Sequence, residues 1–252
     1  MAPRPVSSRL GLTAAARYKR LRIIDGGGVN GNTSETAGKA ERKARGPNAV
    51  RSAATRAKIL DAAVACILEC GYYGTTTLLV QERAGVSRGS LLHQFPTKAD
   101  LMAGVLRHIA VDRHYAYRGR LAQARDDRHR WELLVDVLWD QVSKPEGFVR
   151  LEIMVAAYSD PELLKRIAPE NKTTDRLYRE AIWGLAQRLG VTDRAALDRI
   201  VTVYVAALRG LAIDVLYPRP WVDVEGALQL IKENHMAALD RLIARTGAPA
   251  GE

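Results

Sequence analysis

The sequence predicts an all-α fold, and three observations carry that prediction. From Ala53 onward, apolar residues recur at three- and four-residue steps, the spacing that lays one stripe along a helix. Helix punctuation brackets these segments: hydroxyl or carboxylate residues before the starts, glycine after the ends, proline at first positions. No stretch of useful length alternates apolar and polar residues, and no segment repeats.

The elements follow in order. Ile59, Leu60, Ala63, Val64, Ile67 and Leu68 form the first stripe, with Ser52 or Thr55 placed to cap that helix and Gly71 placed to end it. Residues 75–95 then read as a helix opened by Thr75 or Thr76, a tight turn at Gly85, and a short second helix opened by Ser87. Gly85 supplies the positive φ that such a turn needs, and Ala84 is small enough to let the two helices approach. Val86 and Leu91 are the apolar anchors towards a shared core. Further helices are expected at about 98–121, 128–142, 146–158, 161–188, 193–217 and 221–246. Asp160-Pro161 is a cap followed by proline at the first helical position. Gly190 closes one helix, Thr192-Asp193 opens the next, and Pro218 and Pro220 separate the last two. Pro169 falls inside 161–188, so a kink or a split is expected there.

Charge divides the chain. The net charge is +10 over 252 residues, and residues 1–50 hold ten Lys/Arg against three acids, seven of those ten net charges. This segment has few large apolar residues and a Gly26-Gly27-Gly28 run, so it cannot bury enough surface to offset chain entropy. It is expected to be a disordered basic arm. A solvated tail, a phosphate-binding extension and a transit peptide are the three readings of it. The expected organisation is thus an arm at 1–50, a small helical headpiece at 51–98 and a larger helical domain at 99–248. The best apolar stretch, Val201–Leu208, contains Thr202 and is closed by Arg209, so no transmembrane helix is expected. Two cysteines make no disulfide framework, and a reducing, cytoplasmic setting follows.

The headpiece carries the chemistry. Along the second short helix Arg88, Ser90, His93 and Gln94 are polar. Arginine reads guanine and glutamine reads adenine at base edges, and serine adapts to either. A helix, a tight turn and a second polar-faced helix form a helix-turn-helix, whose second helix enters the major groove.

Ile59 to Leu101 resembles the DNA-binding domain of TetR-family transcriptional regulators. The resemblance is carried by Ile59-Leu60-Asp61-Ala62-Ala63, Gly71-Tyr72, Thr75-Thr76 and Ala84-Gly85-Val86-Ser87-Arg88-Gly89. It continues through Leu91, His93-Gln94-Phe95-Pro96-Thr97-Lys98 and Leu101, without a gap. It implies that Thr75 and Thr76 contact phosphate, that Ser87, Arg88, Ser90, His93 and Gln94 lie against the groove, and that Lys98 holds a phosphate. Two positions depart from the family pattern: Leu92 stands where tyrosine touches the DNA backbone, and Gln81 stands where alanine is usual.

The resemblance also implies a carboxy-terminal domain that binds a small-molecule effector and dimerises. Trp139, Met154, Tyr158 and Trp183 are the candidate ligand contacts, each placed mid-helix on an apolar stripe, with ordinary core packing as the competing reading. Arg150 and Glu152 stand nearby as groups to orient a polar ligand, or as surface charges. Tyr204, Leu208, Leu211 and Val215 on one helix, with Leu228, Ile231 and Leu239 on the next, are the candidate dimer contacts. They would form a four-helix bundle with a second copy, unless both stripes face the subunit's own core.

Cys66 and Cys70 lie four apart on one helix face, where a disulfide would be strained, and read as structural thiols. The five histidines show no metal spacing, and neither a phosphate loop nor a Gly-x-Ser-x-Gly element occurs, so no metal, cofactor or catalytic site is expected. The sequence therefore points to an effector-responsive regulator, a repressor in the family's usual mode, that holds a pseudo-palindromic operator as a homodimer and releases it to an apolar or aromatic ligand. An all-helical enzyme and an architectural DNA binder without a sensor are the alternatives.

Overall fold

The structure is a computed structural model that describes residues 47–246. The basic arm lies outside the described residues except for its last four. Those four are helical, so the arm's expected boundary at residue 50 is too late: α1 (Pro47–Gly74) starts at a proline, whose missing N–H costs nothing in a first turn. Neither Ser52 nor Thr55 caps it. Both sit inside the helix, where the Thr55 hydroxyl donates to Arg51 O at 3.0 Å. The helical backbone breaks at Gly71 (φ 73°, ψ 174°), as its position in the sequence suggested.

The chain divides into two compact units that meet between Lys98 and Ala99. In the first, α1 packs against α2 (Thr77–Ala84), which packs against α3 (Arg88–Gln94). Ile59, Ala63, Cys66, Ile67, Val80, Leu91 and Phe95 are buried. Burial pushes the Cys66 thiol above its ordinary value, as befits a structural thiol. A seven-residue helix such as α3 has no stability of its own in water, so the burial of Leu91 and Phe95 holds it in place.

The second unit runs from Ala99 through α4 (Lys98–Ala122), α5 (Asp127–Ser143), α6 (Pro145–Ala156), α7 (Pro161–Arg188), α8 (Arg194–Leu216) and α9 (Val224–Thr246). The described residues contain no strand. Helix α5 is central and packs on α6, α7, α8 and α9. Trp131, Leu134 and Val137 of α5 meet Ile182, Leu185 and Ala186 of α7, Leu197 and Val201 of α8, and Leu239 and Leu242 of α9 in one core. The caps fall where the sequence put them. Asp160 accepts from Leu163 N at 2.9 Å and Asp193 from Ala196 N at 2.9 Å. Pro169 neither splits nor ends α7, which runs through it unbroken. Only Lys144 separates α5 from α6, and Gly147 passes so close that a Cβ there would lie 2.5 Å from the carbonyl oxygens of Gln141 and Val142. No helix among the described residues is long and apolar enough to cross a membrane.

A candidate nucleic-acid interface and a small cavity

The turn between α2 and α3 is built by short-range chemistry. Thr76 caps α2 by accepting from Leu79 N at 3.1 Å. Gly85 (φ 62°, ψ 38°) ends it, with its own N–H reaching Glu82 O and Val86 N reaching Gln81 O. Ser87 then caps α3 by accepting from Ser90 N at 3.2 Å. Phe95 closes α3, its N–H on Leu91 O at 2.8 Å.

On α3 the inward and outward faces separate cleanly. Leu91 and Phe95 are buried, while Ser87, Arg88, Gly89, Leu92 and His93 are exposed and Ser90 is half-buried. Neither Arg88 nor His93 has a hydrogen bond or ion pair to any described residue. Their polar atoms therefore stay available to an external partner. Leu92 presents an exposed apolar side chain, so the departure from tyrosine removes a hydroxyl from this face. Gln81 is half-buried on α2.

Three of the predicted DNA contacts are placed otherwise. Thr75 is fully buried; its hydroxyl donates to Gly71 O at 2.8 Å, because the backbone break at Gly71 folds the following residues back onto the end of α1. It cannot reach a phosphate. Gln94 turns back on α1: its Nε2 donates to the Ser52 hydroxyl at 2.8 Å, and its Oε1 accepts from Arg56 at 3.3 Å. The same Arg56 guanidinium lies 4.3 Å over the Phe95 ring, so a four-residue brace fixes the end of α3. Lys98 donates to Tyr72 O at 2.8 Å and lies 4.2 Å over the Tyr72 ring. Its ammonium ties the start of α4 to the end of α1.

The second unit holds a small, partly open cavity of about 20 Å³. Trp131, Leu134, Val135 and Leu138 of α5, Ile182 of α7, Ile200, Val201 and Tyr204 of α8, and His235 of α9 line it. Trp131 and His235 stack with ring centroids 4.7 Å apart and planes 2° from parallel, and Tyr204 meets His235 edge-on at 5.6 Å. His235 Nε2 lies 2.9 Å from Trp131 O. A carbonyl only accepts, so Nε2 carries the proton and donates, leaving Nδ1 a bare acceptor. That Nδ1 and the Trp131 indole N–H are buried with no partner in the structure. Burial holds the imidazole well below its ordinary value, down to about 4, with the Trp131 carbonyl opposing; the ring is neutral at pH 7.

None of the predicted ligand contacts lines this cavity. Tyr158 is 94% exposed, because α6 ends at Ala156 and leaves it in the following turn. Trp139 and Met154 are half-buried away from the cavity, and Trp183 packs on the outside of the core with Arg194 5.7 Å from its ring. Arg150 is half-buried: burial lowers its guanidinium, with Arg209 adding to the effect and Asp175 opposing it, while Glu152 is exposed. Of the predicted dimer contacts, Leu208 and Leu239 are fully buried in the chain's own core and Tyr204 faces the cavity. Leu211, Val215, Leu228 and Ile231 are half-buried. The apolar residues that α8 and α9 leave to solvent are Val203, Ile213 and Leu230. A signal for the cavity was present in the sequence. His235 occupies a core position on the α9 stripe of Leu228, Ile231, Leu239 and Leu242, where a polar side chain is out of place. Among the described residues no group of three His, Cys, Asp or Glu is arranged to hold a metal.

Comparison with known proteins converges on one family. The family model for bacterial regulatory proteins, tetR family, matches residues 59–105. The transcriptional regulator BetI of Paraburkholderia phymatum is 30% identical over 196 residues, 77% of this chain and 95% of that protein. The regulator CymR of Pseudomonas putida is 28% identical over 176 residues, 69% of this chain and 86% of that one. Among solved structures, a TetR transcriptional regulator from Chloroflexus aurantiacus superposes with a TM-score of 0.60 at 18% identity, covering 76% of this chain and 97% of that one. The multidrug binding protein EbrR, complexed with ethidium, superposes with a TM-score of 0.50 at 25% identity, covering 71% and 96%.

Proposed function

The chain belongs to the TetR family of bacterial regulatory proteins and is a transcriptional regulator, and from that premise we propose that it is an effector-controlled repressor. Two copies hold a pseudo-palindromic operator and let it go when a small organic molecule binds the second unit. The exposed face of α3 is the observation that carries this reading. Arg88 and His93 are displayed with no intramolecular partner, on a helix whose opposite face is buried and braced. Thr76 and Ser87 stand at the amino ends of the two helices, where backbone N–H groups favour phosphate. Ser90 completes the face beside Arg88. A single such face reaches one half-site, and two-fold pairing supplies the second, about 34 Å away. Val203, Ile213 and Leu230 are the apolar positions that a second copy would cover on α8 and α9.

Effector control is supported by EbrR, which holds ethidium on a related helical scaffold. Release is a population shift: the effector must bind the state that cannot span both half-sites more tightly than the state that can. The alternatives of an enzyme and a sensorless DNA binder are not favoured by relatives that are named as transcriptional regulators.

The test is fluorescence anisotropy on DNA from upstream of the gene against scrambled DNA, across a salt series. The samples are the full chain, a chain starting at Gly46, and Arg88→Ala. The expected result is that the shortened chain keeps its sequence preference and Arg88→Ala loses it. Loss of all binding on shortening, with no effect of Arg88→Ala, overturns the reading. Sedimentation of Ile213→Glu beside the parent chain checks the pairing.

A further inference from the structure

We propose that Leu92 is a specificity-determining residue of the headpiece: in the major groove its side chain rests against the 5-methyl group of a thymine, so that each half-site prefers thymine at one position. This rests on the DNA-binding reading above and names one letter of the operator.

Three observations carry it. The first is where the side chain stands. Leu91 and Leu92 are successive residues of α3, about 100° apart around the helix, so the core takes only one of them. Leu91 is buried to 2% exposure and Leu92 is left at 41%. A lone exposed leucine is ordinary. Leu92, however, lies one turn beyond Arg88 and beside His93, neither of which has a partner among the described residues. It is the apolar part of the face that meets DNA.

The second observation is Gly89, three residues before Leu92 and so its neighbour on the helix surface. Its φ lies outside the left-handed region, which among the described glycines only Gly71, Gly85 and Gly190 occupy. A Cβ added to it would meet nothing within 4 Å. Neither backbone nor packing inside the protein calls for glycine here, and alanine is the better helix former. The glycine leaves α3 bare beside Leu92. A bare helix surface lets an outside body come nearer the backbone than a side chain would permit.

The third is chemistry. Leucine has no donor or acceptor, so it neither holds a phosphate nor reads a hydrogen-bonding base edge. The thymine methyl is the apolar mark that the major groove offers. Leucine is shorter than arginine, so a methyl contact needs α3 to lie close to the bases, which the bare surface at Gly89 allows. Four residues of helix rise about 6 Å, less than two base-pair steps of about 3.4 Å. The thymine therefore lies one or two base pairs from the pair that Arg88 reads.

The test is fluorescence anisotropy on upstream operator duplexes in which deoxyuridine replaces thymidine at one position at a time. Uracil pairs as thymine does and lacks only the methyl group. The expected result is one position in each half-site at which uracil weakens the full chain's binding, about fourfold for each methyl removed. Leu92→Ala binds the thymine operator more weakly and ignores uracil at that position, while keeping its preference at the pair that Arg88 reads. Leu92→Met keeps the uracil response. Gly89→Ala raises the urea midpoint yet loses about tenfold in operator affinity. Urea midpoints of the Leu92 variants, expected to stay close to the parent, separate a lost contact from a lost fold.

A full chain that responds to uracil at no position overturns the assignment, and so does a response that survives in Leu92→Ala. Weaker binding by Leu92→Ala with no uracil response puts the side chain on a sugar and overturns it as well. Parental affinity in Gly89→Ala overturns the close approach on which the contact depends. The full chain's preference for the operator over scrambled DNA is measured first. Its absence overturns the regulator reading and this inference with it; its presence without a uracil response overturns the thymine contact alone.

Discussion

Gln94 and Arg88 stand at opposite ends of the same seven-residue helix, and the structure gives them opposite tasks. Replacing Gln94 by alanine removes two side-chain hydrogen bonds, to Ser52 at 2.8 Å and from Arg56 at 3.3 Å. Both are partly open to water, so each contributes towards the lower end of the usual range, about 0.5–1 kcal/mol. Arg56 keeps its weaker contact with the Gln94 carbonyl and its place over Phe95, which limits the loss. The net cost is about 1 kcal/mol of stability, and the order of preference among operator variants stays the same. Arg88→Ala should do the reverse. Arg88 has no partner in the protein, so stability stays within about 0.5 kcal/mol of the parent. If the guanidinium pairs with a guanine, discrimination at one base pair falls by about 1–3 kcal/mol, roughly fivefold to 150-fold. The assay pairs urea unfolding of each variant with anisotropy against an operator set carrying every single base-pair change. A Gln94→Ala protein with an unchanged urea midpoint and relaxed discrimination at one position would refute the reasoning, because the amide would then be reading bases and not bracing α3.

Three further outcomes follow from the same geometry. Ser87→Ala should lower headpiece stability by about 1 kcal/mol through loss of the cap on Ser90 N, read as a lower urea midpoint, and Ser87→Asp should largely restore it. Gly147→Ala should cost about 3 kcal/mol, because the new Cβ would meet backbone oxygens that have no rotamer to change; calorimetric melting of the full chain reads it. Stability should fall as pH drops from 6.5 towards 4. The unfolded His235 takes up a proton near 6.5 while the folded ring resists until about 4, so the unfolded state binds more protons in that window. His235→Phe should flatten the slope of urea stability against pH between those limits.

The sequence spoke most clearly where structure depends on neighbours in the chain. The Thr76 and Ser87 caps, the left-handed turn at Gly85 and the Asp160 and Asp193 starts each need only three or four consecutive residues, and all formed as read. The misplacements share a different cause. Thr75, Gln94 and Lys98 are polar residues whose position along the chain is compatible with DNA, but whether each turns outward is decided by a second element. The Gly71 break captures the Thr75 hydroxyl, α1 offers Ser52 and Arg56 to Gln94, and Tyr72 offers both a carbonyl and a ring to Lys98. Periodicity identified the stripes of α8 and α9 but not what they face. Leu208 and Leu239 serve the chain's own core, and Tyr204 and His235 border a void. Pro169 was legible as an interruption, and of the two outcomes expected there the split is absent, since the helix is continuous from Pro161 to Arg188.

The brevity of α3 has a consequence for information. Seven residues span roughly 10 Å along a helix axis, the rise of about three stacked base pairs. Three positions with four choices each separate about sixty triplets, whereas a genome offers on the order of a million or more competing registers. One reading helix is therefore a poor address by itself. Whatever selectivity this protein has must be assembled by repetition, by bases sensed through the shape of the duplex, or by both. In the paired arrangement proposed above, the most discriminating quantity is the distance at which two short words are spelled, more than the letters of either one.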